Sequence, residues 1–79
     1  MITRFGKKVR HLRERAGLTQ SELAYAIGLS DRSKGFISEI ESAKKIPKAT
    51  LVLRLANLLG VSTDYLLRDD LGTELDDLA

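Results

Sequence analysis

Apolar positions recur along the chain at helical rather than strand spacing. In the first segment Ile2, Phe5, Val9, Leu12 and Ala16 repeat every three or four residues, which places them on one stripe of a helix. Arg4, Lys7, Lys8, Arg10, Arg13 and Arg15 fill the intervals and predict a strongly basic outer surface. Gly17 follows the last apolar position, where it can take the left-handed conformation that ends a helix. Thr19 and Glu22 then have capping-box spacing, each side chain answering the other residue's orphan backbone N–H. They open a short second helix with Leu23, Ala24 and Ile27 inward and Gly28 at its end.

A polar stretch from Ser30 to Gly35 leads to a third helix that turns Phe36, Ile37 and Ile40 inward. Ser33 is the preferred N-cap and Ser30 the alternative. Lys44-Lys45-Ile46-Pro47 reads as a connector, with Pro47 setting the entrance to the next helix. That fourth helix, Lys48 to Leu59, is apolar over much of its circumference (Leu51, Val52, Leu53, Leu55, Ala56, Leu58, Leu59). It is therefore either central to the core or shared with a second subunit. Gly60 ends it, and Ser62 caps a fifth, short helix carrying Tyr65, Leu66 and Leu67. The expected fold class is all-α, a compact five-helix domain over residues 1–68. Residues 69–79 form an acidic tail with Leu71, Leu75 and Leu78, a frayed end or a marginal helix, with disorder favoured.

Length changes this picture little: 79 residues suffice for one domain and no more. Cysteine is absent, which excludes disulfides and thiolate metal sites. No apolar run nears the roughly 18–20 residues of a membrane span, and no signal peptide is recognisable, so a soluble, cytoplasmic protein is expected. Net charge is only +2, but its distribution is uneven. All thirteen Lys and Arg lie in residues 1–68 beside six acids, a balance of +7, whereas the tail carries five acids. A basic body of this kind suits a polyanionic partner. Catalysis is not expected. His11 is the only histidine, it is read as solvent-facing, and no cysteine, paired-carboxylate pocket or glycine-rich phosphate loop accompanies it. No cofactor, metal or small-molecule substrate is implied.

Two short helices joined by a Gly-containing turn, the first capped by Thr, describe a helix-turn-helix. Spacing alone is weak evidence, and residue identities decide the matter. Gly17-Leu18-Thr19-Gln20-Ser21-Glu22-Leu23-Ala24, Gly28-Leu29-Ser30, Ile37-Ser38-Glu39-Ile40-Glu41, Pro47 and Leu55-Ala56-Asn57-Leu58-Leu59-Gly60-Val61-Ser62 together resemble the phage Cro and lambda-repressor-like helix-turn-helix family. That family includes the xenobiotic-response-element-type regulators. The resemblance runs from about Phe5 to Leu67, and it implies five helices and a dimer on a partly palindromic DNA operator. In such a unit the second helix crosses the DNA backbone and the third enters the major groove.

Carried onto these positions, the resemblance gives candidate roles. Gln20, at the first turn of the second helix, would join exposed N–H groups on a phosphate. Ser38 and Lys34 would face bases, a Lys donating to guanine O6 and N7 or simply to a phosphate. Glu39 would accept from a cytosine amino group or instead pair with a nearby cation. Lys44, Lys45 and Lys48 would lie on the phosphate backbone. Glu41 matches a family acid that pairs with an arginine of the first helix, here Arg13, as a structural ion pair. Dimerisation would use Leu58, Leu66 and Leu67.

Three departures blur this map. Six residues separate Ser30 from Ile37 where the family commonly has three, so Arg32, Ser33 and Lys34 are joint candidates for one base-reading role. Ala43 stands where a glycine usually follows the third helix, and a left-handed Ala there is strained by about 1 kcal/mol. Lys48 replaces the hydroxyl cap that normally follows Pro47. The leading expectation is a sequence-specific transcriptional regulator, a repressor, acting as a homodimer on double-stranded DNA. A restriction-modification controller or antitoxin-type autorepressor belongs to the same class. The rival is a protein-interaction module on the same fold, with DNA binding weak or lost.

Overall fold

The computed structural model describes residues 4–29 and 34–69, and the Lys34 side chain lies outside that description. The expectations for Ile2, Ser30, Arg32, Ser33 and residues 70–79 fall outside it as well. Five helices follow in order: α1 (Phe5–Arg15), α2 (Gln20–Ala26), α3 (Lys34–Glu41), α4 (Ala49–Leu59) and α5 (Thr63–Leu67).

The apolar stripes converge on one core. Phe5, Val9 and Leu12 of α1 meet Leu23 and Ala24 of α2, Ile37 and Ile40 of α3, Val52, Leu55 and Ala56 of α4, and Leu66 of α5. Each fully buried large side chain stabilises the fold by about 1.5–3 kcal/mol relative to exposure. Gly6 lets α1 cross α3 closely: a Cβ there would overlap the Ile40 carbonyl oxygen and lie 2.8 Å from that of Glu41. No residue but glycine fits this crossing without moving a helix.

The helix ends follow local chemistry. Thr19 Oγ1 accepts from the Glu22 N–H at 3.0 Å while Glu22 Oε1 accepts from the Thr19 N–H at 2.8 Å, completing the capping box. These bonds to Thr19, backbone first and then hydroxyl, hold the Glu22 pKa below the usual carboxylate value. Ser62 Oγ accepts from the Tyr65 N–H at 3.0 Å and starts α5. Helix α4 begins at Ala49, one residue later than expected, because Lys48 is its N-cap with φ −62° and ψ 158° and makes no side-chain cap bond.

Several residues sit differently from the sequence expectation. Lys8 was expected on the basic surface, but it is 1% exposed. Its Nζ donates to the carbonyls of Tyr65 at 2.5 Å and Arg68 at 2.6 Å, closing the C-terminus of α5, and lies 5.0 Å from the Tyr65 ring centre. His11 is half-buried rather than solvent-facing, and its Nε2 is enclosed with no hydrogen-bond partner. Ala16 is exposed and takes no part in the core, because it lies beyond the last residue of α1. Asp69, expected to belong to the tail, is tied back to the domain: its Oδ1 accepts from the Arg4 N–H at 3.0 Å and its carbonyl from Arg4 Nη1 at 3.2 Å.

Candidate nucleic-acid interface

Helices α2 and α3 form the helix-turn-helix, and a buried ion pair locks them to α1. Arg13 Nε donates to Glu41 Oε2 at 2.7 Å and Nη2 to Glu41 Oε1 at 3.1 Å. The two side chains are 12% and 4% exposed. Arg13 Nη1 also donates to the Leu18 carbonyl at 2.8 Å, fixing the α1–α2 connection. The hydrogen bond to Glu41 raises the Arg13 pKa despite the opposing cost of burial, with the charges of Glu41 and Glu14 adding to it. Breaking such a pair strands one buried charge at a cost of roughly 3–5 kcal/mol. Both residues thus serve the shape of the motif, as the resemblance implies.

Helix α3 has two faces. Ile37 and Ile40 are fully buried, while Gly35 and Ser38 are exposed, and nothing lies within 4 Å of a Cβ built at Gly35. A surface bare of side chain at Gly35 permits close backbone approach by a large partner. Lys34 opens the helix. Glu39 is half-buried and pairs with Lys45, Oε2 to Nζ 3.4 Å. The pair is exposed and of little energetic weight, so the carboxylate stays accessible. Lys45 Nζ also lies 5.6 Å from the Phe36 ring centre. Lys44 and Lys48 are exposed.

Gln20 stands at the first turn of α2, half-buried, with Nε2 donating to Glu41 Oε1 at 3.2 Å. It lines a notch of about 230 Å³ with Arg10, Arg13, Ser38, Glu41 and Ser42. Arg10 and Ser42 were not singled out from the sequence. Arg10 precedes Arg13 by one helical turn and so shares its face, a signal that was present but masked by the density of cations on α1. Arg10 is tied only loosely to Glu14, at 3.7 Å with both side chains more than half exposed, a pair of little energetic weight. Ser42 Oγ donates back to the Ser38 carbonyl at 2.9 Å, at the end of α3.

Beyond α3 the chain turns through Ala43, which adopts φ 66° although it is not glycine. The Lys44 N–H donates to the Glu39 carbonyl at 2.9 Å, so the helix closes as it would with glycine and the strain is retained rather than relieved. Of the residues expected at a dimer interface, Leu66 is 1% exposed and used up in the protomer's own core. Leu67 is partly buried against that core and Leu58 is 42% exposed. Leu58 borders a groove of about 520 Å³ with Ala26, Ile27, Gly28, Arg54 and Asn57.

A five-helix core carrying a capped α2 and a two-faced α3 defines a helix-turn-helix domain. The chain belongs to the helix-turn-helix domain family, matching it over residues 4–69, in its Cro and lambda-repressor-like branch. This is a family of regulators, not of enzymes. It is 37% identical to the HTH-type transcriptional regulator ImmR of Bacillus subtilis over 65 residues, 82% of this chain and 49% of that protein. To YonR, a prophage-derived HTH-type regulator of the same organism, it is 33% identical over 81% of this chain and 56% of that protein. The chain thus spans about half the length of these two relatives. Among solved structures, the P22 c2 repressor in complex with a synthetic operator superposes with TM-score 0.73 at 30% identity, covering 84% of this chain and 96% of that one. The N-terminal DNA-binding domain of SinR from Bacillus subtilis gives TM-score 0.73 at 26% identity, covering 85% and 94%. Among the described residues no helix is long and apolar enough to cross a membrane.

Proposed function

We propose that this chain is a transcriptional repressor's DNA-binding domain, acting in the cytoplasm and binding double-stranded DNA as a homodimer with α3 in the major groove. The observation that carries this reading is the division of α3. Its apolar side packs against α1 and α2, burying Ile37 and Ile40, and its other side offers Gly35 and Ser38 exposed. The operator complex of the P22 c2 repressor supports it by likeness of fold. Lys34, with Arg32 and Ser33 before it, and Ser38 read bases. Glu39 accepts from a cytosine amino group or keeps its exposed pairing with Lys45. Lys44 and Lys48 lie on phosphates, joined by Lys45 when it exchanges Glu39 for the backbone. Leu58 and Leu67 supply the contact between protomers.

Selection of bound sequences from a random duplex library tests this. A two-fold-symmetric motif with half-sites about one helical turn apart is the expected result. Affinity for random DNA should fall steeply with salt, with a log–log slope of about −0.9 per phosphate contacted. No enriched motif together with a flat salt response would refute the reading.

A further inference from the structure

The Glu41 carboxylate does more than pair with Arg13. Its Oε1 accepts from both Arg13 Nη2 and Gln20 Nε2, at 3.1 and 3.2 Å. A carboxylate only accepts, so only the NH2 end of the Gln20 amide can face it. The orientation of that amide is therefore dictated by chemistry. One N–H is spent inward, leaving the second N–H and the carbonyl oxygen for the notch shared with Arg10, Ser38 and Ser42.

We propose that Glu41 is a positioning residue for DNA binding: by holding one N–H of the Gln20 side chain, it sets the polarity of that amide, so that its second N–H and not its oxygen meets a backbone phosphate. This rests on the DNA-binding reading above. Arg13 is part of the device, since its guanidinium balances the Glu41 charge and keeps a bare carboxylate from lying beneath a phosphate. Without Glu41 the Gln20 amide has no fixed polarity. Its carbonyl oxygen would then face the phosphate in part of the population, and oxygen against oxygen is repulsive.

The two Gln20 side-chain protons report the arrangement directly by NMR on the 79-residue chain. One should exchange slowly with solvent, and the other should respond when a random-sequence duplex is added. Gln20→Ala should weaken duplex binding about tenfold, the scale of a hydrogen bond to a charged group. Glu41→Met keeps much the same side-chain length but leaves no carboxylate to accept from the Gln20 NH2, so that amide is free to turn. In that background Gln20→Ala should have an effect different by about threefold or more, since bonded neighbours do not act additively. Should Glu41→Met fail to fold, the proton exchange in the wild-type chain and the Gln20→Ala affinity still decide. Two freely exchanging Gln20 protons, or strictly additive effects, overturn the positioning role. A protected inner proton beside an outer one that ignores DNA overturns its assignment to the phosphate.

Discussion

If Lys48 contacts phosphate as proposed, stability and DNA binding make opposite demands on it, and replacing it with serine separates them. Its backbone, φ −62° and ψ 158°, closely matches that of the working caps Thr19 (−78°, 167°) and Ser62 (−80°, 159°). Thr19 and Ser62 each accept a backbone N–H at 3.0 Å from the residue three positions on, whereas Lys48 has no side-chain oxygen to do so. The Leu51 N–H already donates to the Lys48 carbonyl at 2.9 Å, so a serine hydroxyl would accept from the N–H of Thr50 with no backbone change, a gain of about 1 kcal/mol. In a domain of this size that raises the melting midpoint by about 4–8 °C, measurable by circular dichroism. The same change removes an exposed cation. Affinity for random and specific duplexes should fall alike, and the salt slope should lose about 0.9. A lower or unchanged midpoint would refute the cap-ready geometry. An unchanged slope would remove Lys48 from the phosphate contacts.

Other substitutions probe the remaining parts. Gly6→Ala forces α1 and α3 apart and should destabilise by about 1–3 kcal/mol or more, as overpacking does; denaturation with an unchanged midpoint would show that the crossing is looser than drawn. Ala43→Gly relieves a left-handed alanine and should stabilise by about 1 kcal/mol, with the salt slope unchanged, since no cation is altered; a loss of stability would show that the residue is not strained. Tyr65→Phe removes a buried hydroxyl that has no partner and should leave stability equal or about 1 kcal/mol higher. Burial raises the Tyr65 pKa above 10.0, against the opposing charges of Arg4 and Arg15. The stability it contributes is full below the unfolded value and fades as pH rises through the folded one. The phenylalanine variant should lack that alkaline loss, and titrations of the two proteins that overlay at high pH would contradict this.

Helix order, the capping box and the Arg13–Glu41 pair were legible in the chain because each rests on short spacings or on a motif. What was not legible has a common cause, namely partners far apart in sequence. Periodicity marks Lys8 as an outward cation, yet its long apolar stem lets the ammonium reach the carbonyls of Tyr65 and Arg68, 57 and 60 residues away. Periodicity carries no sign of the role of Gly6, because the carbonyls of Ile40 and Glu41 that exclude a Cβ come from another helix. Leu58 and Leu66 both read as apolar positions near the carboxyl end, and only packing shows that Leu66 is consumed at home while Leu58 is not. The same reasoning sorts the cations. Lys8 has its charge committed inside the molecule, Lys45 divides its own between Glu39 and Phe36, and Lys44 and Lys48 stand exposed. A count of lysines therefore overstates the positive field available to DNA. The side chains that matter at a groove are those whose hydrogen-bonding capacity the fold leaves unspent.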